Sequence, residues 1–264
     1  MLAASTRRAC APFRGASRRS VSISASAKSV LYSVPVSNYA ARIRYIIQSK
    51  GLQSEIDIVS PQAIGGLKSE EYLKLNPQGK MPLMVLPDGT ALPESEVIVG
   101  YVLDKYAGRG PSLQASTPEA RAQAALATRI HDIYLGPAMA SMYKPMGIED
   151  RAKGIAALAF QMDVLEGICK GPFMAGSEVT SADAALFPSF VFIEFILPKF
   201  FGWKDVFAGR PKLAAWWAAM KADPVAAGVM AEVRGGLEVW EKNNRWKDLG
   251  ILEQVASTAH KWAY

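Results

Sequence analysis

The sequence predicts an α+β domain followed by an all-α domain. Strand-like apolar runs occur only before about residue 107. Residues 108–117 are polar and contain glycine and proline, which suits a linker. Beyond them the only periodicity is helical, and after a basic leader at residues 1–29 the remaining length is enough for two modest domains.

The first domain, residues 30–107, contains strand and helix signals in a fixed order. Its elements are a strand at 30–36, a helix at 40–50, a strand at 55–59, a short helix at 69–73, a strand at 81–86, a turn at 87–89 that leads into a fourth strand, and a helix at 94–107. The order is βαβ then ββα. It predicts a mixed four-stranded sheet of the thioredoxin-like type.

The second domain, residues 118–240, is predicted to be entirely helical. Helical patterns occupy residues 120–142, 148–169 and 181–197. The third is apolar on nearly every side, so we expect it to be the buried central helix. Thr180 and Asp183 form a capping box at its start and are interpreted as folding residues. Residues 241–264 are expected to form a C-terminal tail.

The leader has the composition of an organelle transit peptide. It contains five arginines, seven serines and no acidic residue, and the first acidic residue of the chain is Glu55. Without the six basic residues of the leader, 24 basic residues balance 24 acidic ones, so a nucleic-acid partner is not expected. No run of about 18 apolar residues is evident, and no membrane span is expected. The serines favour a plastid, with the mitochondrion as the alternative.

The two cysteines exclude a disulfide framework. Cys10 lies in the leader, and Cys169 lies at the end of an apolar helix and is interpreted as a small core residue. A thiolate metal site is excluded as well, and no metal is expected.

Residues 76–102, NPQGKMPLMVLPDGTALPESEVIVGYV, form the most informative segment. The Met81-Pro82 bond is of the only type that is commonly cis, and a cis bond would present the backbone of Met81 as a strand edge for an extended peptide. Glu94 and Ser95 open a helix whose free amides attract a carboxylate. An ordinary hairpin beside an ordinary helix is the alternative.

This segment resembles the glutathione-binding half of soluble glutathione S-transferases. Three further segments resemble the same family: LYSVPVSNYAARIRYIIQSKGL at 31–52, TSADAALFPS at 180–189 and RPKLAAWWAAMKADP at 210–224. The first is nearest to the serine-type theta, zeta and phi classes. Because no cysteine lies near the start of the first helix, the cysteine-type classes are excluded. The resemblance covers about residues 30–235 and implies glutathione as co-substrate and a homodimer.

The resemblance implies that Ser37 is the catalytic residue. A hydroxyl donor at a helix start lowers the pKa of the glutathione thiol, which is about 8.5 when unperturbed. A plain N-cap serine is the alternative. Arg42 matches an arginine of the zeta and phi classes. Tyr39 is expected to pack in the core or lie on the helix surface, with a place in the cleft as the alternative. Ser37-Asn38-Tyr39 replaces the Ser-Ser-Cys motif of zeta isomerases, which weighs against isomerase activity.

For the rest of glutathione, the resemblance assigns Ser95 to the γ-glutamyl carboxylate and Glu94 to the ammonium group. The backbone at Met81 and Pro82 would hold the cysteinyl residue. Lys68 is the candidate for the glycyl carboxylate, and Lys80 is the candidate for added charge pairing. A solvated surface role is the alternative for both.

The second substrate is expected to be a small hydrophobic electrophile. Its pocket is assigned to the first long helix of the second domain, with Tyr134 and Met142 as the main candidates and Met139 and Tyr143 beside them. A core or dimer-interface role is the alternative. His131 on the same helix is interpreted as structural.

The sequence therefore predicts a glutathione transferase that activates glutathione as a thiolate for attack on electrophiles or hydroperoxides. One alternative is a non-catalytic protein that binds glutathione or hydrophobic ligands. Others are a glutathione-dependent isomerase or dehalogenase, and an interaction module.

Overall fold

The computed structural model describes residues 28–264. Almost the whole of the predicted transit peptide, residues 1–29, lies outside the described residues. The exceptions are Lys28, whose ammonium contacts Asp57 at 3.0 Å, and Ser29, which already belongs to the first strand.

Four short strands form one mixed sheet, as predicted. They are β1 (Ser29–Tyr32), β2 (Ile56–Val59), β3 (Leu83–Val85) and β4 (Ala91–Pro93), in the spatial order β2-β1-β3-β4. β1 and β2 run parallel, whereas the β1/β3 and β3/β4 pairs are antiparallel. This is the βαβ-ββα sheet that the sequence indicated.

The helices of the first domain are α1 (Asn38–Ser49), α2 (Glu70–Leu75) and α3 (Ser95–Lys105), with a 3₁₀ turn at Pro61–Ile64. The predicted first strand, residues 30–36, is too long, because the chain leaves the sheet after Tyr32 and turns towards α1. Arg44 binds this turn: its guanidinium donates to the hydroxyl of Ser33 and to the carbonyls of Val34 and Pro35. The turn therefore belongs to a fixed loop that ends at the start of α1.

The second domain is helical throughout the described residues. Its helices are α4 (Pro118–Ile130), α5 (Gly136–Met139), α6 (Ile148–Ile168), α7 (Ser181–Phe200), α8 (Pro211–Ala222), α9 (Pro224–Lys242), α10 (Arg245–Asp248) and α11 (Ile251–Val255). The predicted helix at 120–142 is helical along its whole length, from α4 to a 3₁₀ turn at Ala140–Met142. Its hydrogen-bonding pattern changes to that of a π-helix at His131–Leu135.

α7 is the central helix, as its all-round apolar pattern predicted. It packs against α1, α4 and α9, so it contacts both domains. By length and composition alone α7 could cross a membrane, which the sequence analysis overlooked, but 83% of its most apolar window is buried inside the protein. That burial is typical of a core helix.

The C-terminal residues are part of the core and are not a loose tail. Trp246, Ile251 and Trp262 are buried. The indole of Trp246 donates to the carbonyl of Met142, and that of Trp203 donates to the carbonyl of Trp262. The predicted boundary at residue 241 therefore separates residues that pack together.

The capping box of α7 anchors this helix through Asp183. The carboxylate of Asp183 is fully buried and accepts hydrogen bonds from the amides of Thr180 and Met174, at 2.7 and 2.9 Å. It also accepts one from the indole of Trp216 at 2.9 Å. One side chain thus joins the start of α7, the preceding loop and α8.

We expect Asp183→Ala to lower the free energy of unfolding by roughly 3–6 kcal/mol, because each buried donor left without an acceptor costs about 1–3 kcal/mol. Urea denaturation measures the change. Asp150→Ala, at an exposed position in the first turn of α6, is the control and should change stability by less than about 0.5 kcal/mol. A loss below about 1 kcal/mol for Asp183→Ala would contradict the anchoring role.

Candidate active site

A cavity of about 730 Å³ lies between the two domains. One wall comes from the segment that precedes β3 and from the start of α3. It includes Lys80, Met81, Pro82, Glu94 and Ser95, so these five sequence candidates lie around one cavity. The other wall comes from the helical run between Arg129 and Lys144.

The backbone of Met81 is open on this wall. The Met81-Pro82 peptide is cis, as expected. The hydroxyl of Tyr72 and the side-chain amide of Asn76 both donate to the carbonyl of Lys80, at 2.7 and 2.8 Å, and so hold the preceding residue. Within residues 28–264, neither the amide nor the carbonyl of Met81 has a hydrogen-bond partner. An extended peptide could pair with both.

The start of α3 provides donors beside Met81. Glu94 has a φ of 68°, a left-handed value that costs a non-glycine residue about 1–3 kcal/mol. This bend places Ser95, Glu96 and Val97 along the cavity at the first turn of α3. The amide of Ile98 is the first that donates within the helix, to the carbonyl of Glu94, so the amides of these three residues have no acceptor in the helix. This arrangement suits a carboxylate.

Ser37 caps α1 and is absent from the residues that line the cavity. Its hydroxyl oxygen accepts a hydrogen bond from the amide of Ala40 at 3.2 Å. Within the described chain the hydroxyl hydrogen has no acceptor, so Ser37 can still donate to a ligand from its place at the helix start. The N-cap reading of Ser37 thus holds for the structure, and it leaves the catalytic reading open.

Besides Ser37, three sequence candidates do not line the cavity. Lys68 is exposed on the loop before α2. Tyr134 is 54% exposed, whereas Met142 is fully buried in the core, and neither lines the cavity. The assignment of Tyr134 and Met142 to the second-substrate pocket is therefore wrong for this structure.

Helix geometry explains that error. The lining residues of the helical wall recur every three or four positions: Arg129, Asp132, Ile133, Gly136, Pro137, Ala140, Tyr143 and Lys144. Tyr134 and Met142 lie off this face. Of the two residues named beside them, Tyr143 lines the cavity and Met139 is buried in the core.

Tyr39, Glu96 and Asp132 also line the cavity. Glu96 and Asp132 were not expected there. For Tyr39 a place in the cleft was the alternative to core packing or surface exposure. Its ring does pack edge to face against His131, with 5.6 Å between the ring centroids. In the sequence, Glu96 and Asp132 are simply carboxylates at helical positions. Because such side chains are usually solvated, nothing pointed to a place in the cavity.

A buried arginine joins the two walls below the cavity. The Arg42 side chain is fully buried on α1. It donates to both carboxylate oxygens of Asp132, at 2.6 and 3.3 Å, and to Glu96 at 3.2 Å. One guanidinium therefore holds α1, α3 and the helical run of the second domain together.

His131 extends this network into α7. Its Nδ1 lies 2.8 Å from Asp132, and its Nε2 lies 2.7 Å from the hydroxyl of Ser189. The side-chain amide of Asn38 donates to the same hydroxyl at 2.9 Å. The guanidinium of Arg42 also lies 3.0 Å from Nδ1. If Nδ1 donates to Asp132, Ser189 accepts from Asn38 and donates to Nε2. If Nδ1 accepts from Arg42, Nε2 donates to Ser189. The structural interpretation of His131 agrees with these contacts.

The network shifts the ionisation of its members. Burial lowers the pKa of His131 below its ordinary value, although the hydrogen bond to Asp132 opposes this effect. Burial raises the pKa of Asp132, but hydrogen bonds from His131 and Arg42 outweigh burial and lower it overall. At neutral pH the network therefore contains a neutral imidazole beside an ionised carboxylate.

Family models match most of this architecture. The N-terminal domain model of glutathione S-transferases matches residues 31–110, and the C-terminal domain model matches residues 129–229. The chain belongs to the glutathione S-transferase family. The N-terminal match includes Ser37, the Met81 edge and the start of α3, and the C-terminal match includes the helical wall of the cavity.

Individual relatives agree with this assignment. The chain is 31% identical to glutathione S-transferase 3 of Zea mays over 215 residues, which cover 77% of this chain and 93% of that protein. It is 30% identical to the probable glutathione S-transferase GSTU6 of Oryza sativa subsp. japonica over 216 residues, or 74% and 85% of the two chains.

A solved structure agrees in fold. The glutathione transferase homolog from sulfitobacter with bound glutathione superposes with a TM-score of 0.64 and 22% identity, covering 78% of this chain and 98% of that one. At this identity the likeness concerns the fold. The class within the glutathione S-transferase family stays a prediction.

We expect replacement of His131 by glutamine to weaken the acid dependence of stability. In wild type the unfolded chain binds a proton at His131 below a pH of about 6.5, whereas the folded state binds it less readily, so stability falls as pH drops. The limiting slope is about 1.4 kcal/mol per pH unit. Urea denaturation between pH 7.5 and 5 measures it.

His260 is the only other histidine of the chain, and His260→Gln is therefore the matched control. This variant retains His131 and should therefore retain the part of the slope that His131 contributes. An equal slope in wild type and His131→Gln would contradict the buried neutral state of His131.

Proposed function

We propose that this glutathione S-transferase binds glutathione in extended form along the Met81 edge and directs its thiolate at a small hydrophobic electrophile. One observation carries the proposal: the unpaired backbone of Met81 and the free amides at the start of α3 face the same cavity. These are the two features needed to bind a short peptide that ends in a carboxylate.

The peptide half of the cavity suits the three parts of glutathione. The amide and carbonyl of Met81 pair with the cysteinyl backbone. The γ-glutamyl carboxylate receives hydrogen bonds from Ser95, with Glu94 near the ammonium group. Lys80 lies on the same wall and supplies a cation for the glycyl carboxylate. Lys68 remains a second candidate for that carboxylate, although its side chain lies outside the cavity.

Ser37 is proposed as the donor that stabilises the thiolate. Because its oxygen accepts from Ala40, its hydrogen is free to be donated to sulfur. The amides at the start of α1 add a positive field to that donor. Both effects favour the thiolate over the thiol and so lower the thiol pKa. The N-cap role and the catalytic role of Ser37 are thus compatible.

The other wall is proposed to receive the electrophile. Ile133, Pro137, Ala140 and Tyr143 make it largely apolar, as expected for a small hydrophobic molecule. Non-catalytic binding of glutathione or hydrophobic ligands is the alternative. Isomerase activity lacks the Ser-Ser-Cys motif, and nothing in the cavity favours a dehalogenase over a conjugating enzyme.

Two broader proposals complete this function. A homodimer is proposed from the resemblance, and Leu126 on α4 is an exposed apolar residue outside the cavity lining that is available for contact. Import into a plastid, with the mitochondrion as the alternative, is proposed from the composition of residues 1–29.

We expect Ser37→Ala to lower kcat for conjugation by about 10²-fold, as loss of one preorganised donor to a developing or stabilised anion typically does. Glutathione affinity should change little, because Ser37 does not belong to the peptide wall, the cavity wall formed by residues 80–82 and 94–97. Steady-state kinetics with a panel of electrophiles and hydroperoxides, beside glutathione titration by calorimetry, measure both quantities.

Ser95→Ala is the matched variant. Removal of its hydroxyl should weaken glutathione binding by about 1.5–3 kcal/mol, since it loses a hydrogen bond to a charged group. Turnover at saturating glutathione should persist. If wild type binds glutathione but neither wild type nor any variant turns over, the ligand-binding alternative is supported. If wild type does not bind glutathione, the proposed function is contradicted.

A further inference from the structure

The Tyr39 hydroxyl is an unassigned donor in the cavity. Tyr39 lies in the first turn of α1, two residues beyond Ser37, and lines the cavity. Its hydroxyl has no hydrogen-bond partner among residues 28–264. It is also absent from the buried polar atoms that lack a partner in this part of the chain, so its oxygen remains open to the cavity.

The ring of Tyr39 is held in place on three sides. His131 packs edge to face against it, and the guanidinium carbon of Arg42 lies 5.4 Å from its centroid. The hydroxyl rests against Gly136, where a Cβ atom would overlap the hydroxyl oxygen. Gly136 is therefore the residue that admits the hydroxyl to this position, and the hydroxyl is oriented before any ligand binds.

The hydroxyl lies on the electrophile side of the cavity. Gly136 belongs to the helical wall, together with Pro137, Ala140 and Tyr143. The open backbone of Met81 belongs to the opposite wall. A molecule that packs on the helical wall would meet the Tyr39 hydroxyl, whereas the γ-glutamyl and cysteinyl backbone groups of glutathione would not.

Tyr39 can serve only as a neutral donor at ordinary pH. Burial raises the pKa of Tyr39, Asp132 raises it further, and Arg42 opposes them. A neutral phenol held in a partly dry site stabilises negative charge that develops on a nearby oxygen atom. It offers no comparable help to a departing halide on a different side of the substrate.

We propose that the Tyr39 hydroxyl is a catalytic hydrogen-bond donor to the second substrate, and that it favours electrophiles whose oxygen gains negative charge in the reaction, of which an α,β-unsaturated aldehyde is the test case. This proposal rests on the proposed transferase function. It names a substrate class for the same cavity and a role for a residue distinct from Ser37.

The reaction balances as follows. The thiolate sulfur of glutathione forms a bond to the β-carbon of the unsaturated carbonyl compound, and the electrons of the carbon–carbon double bond move towards the carbonyl oxygen. The resulting enolate oxygen accepts a hydrogen bond from Tyr39. The α-carbon then takes a proton from water, which replaces the proton that the thiol released on ionisation. Overall the carbon–carbon π bond of the substrate and the S–H bond of the thiol are broken, a C–S bond and a C–H bond are formed, no group leaves, and no oxidant or reductant is needed.

The test compares two electrophiles in the full chain. trans-2-Hexenal develops charge on oxygen, and benzyl chloride releases chloride by direct displacement. We expect Tyr39→Phe to lower the ratio of kcat/KM for hexenal over benzyl chloride by about 10²-fold, because it removes one preorganised donor. Ser37→Ala should lower both kcat/KM values and leave the ratio within about threefold, because the donor to sulfur serves both reactions.

Two further variants sharpen the comparison. Gly136→Ala should displace the hydroxyl and lower the same ratio, and urea denaturation shows whether this variant folds. Tyr101→Phe, a half-buried tyrosine on α3 outside the cavity lining, is the matched control and should not change the ratio.

The outcomes separate the two proposals. An unchanged ratio in Tyr39→Phe, or equal losses with both electrophiles, would overturn the role of Tyr39 while the transferase function stands. Wild type that conjugates neither electrophile nor any other compound of the panel would overturn both. A selective loss with hexenal in Tyr39→Phe, beside a common loss in Ser37→Ala, is the expected result.

Discussion

The cleft depends on the buried guanidinium of Arg42. A fully buried guanidinium needs acceptors that compensate its charge, and here Asp132 and Glu96 supply carboxylates from two different elements. Loss of one member of such a buried pair typically costs about 3–5 kcal/mol. Because Arg42 lies on α1, Glu96 on α3 and Asp132 in the second domain, this one compensation also sets the distance between the cavity walls.

The walls that Arg42 joins differ in chemistry because they come from different kinds of structure. The first wall contains the unpaired segment at Met81 that precedes β3 and the start of α3, which expose backbone donors and acceptors to a peptide. The second wall is one face of a helix, where the backbone is already paired and only side chains reach the cavity. A peptide therefore suits the first wall, and an apolar molecule suits the second.

The first turn of α1 lies where the two walls meet and carries two hydroxyls. Ser37, as the N-cap, remains beside the helix amides, whereas the longer side chain of Tyr39 reaches the helical wall at Gly136. Arg44 holds the loop that leads into this turn, through Ser33, Val34 and Pro35, and through Glu232 of α9. Sulfur and electrophile can thus each receive a donor from one short segment.

Local signals in the sequence by themselves determined the order of strands and helices, the central α7, its capping box and the peptide wall at residues 80–95. These features depend on neighbours in the chain: turn residues, apolar periodicity and a helix start. Tertiary structure alone decided that Glu96 and Asp132 line the cavity, that Tyr134 and Met142 do not, and that the C-terminal residues belong to the core. It also decided among core, surface and cleft for Tyr39. The physical reason is that these outcomes depend on which face of a helix meets a distant element. Helical periodicity locates an apolar face, but it does not specify the partner, and the carboxylates that compensate Arg42 lie 54 and 90 residues away in the chain.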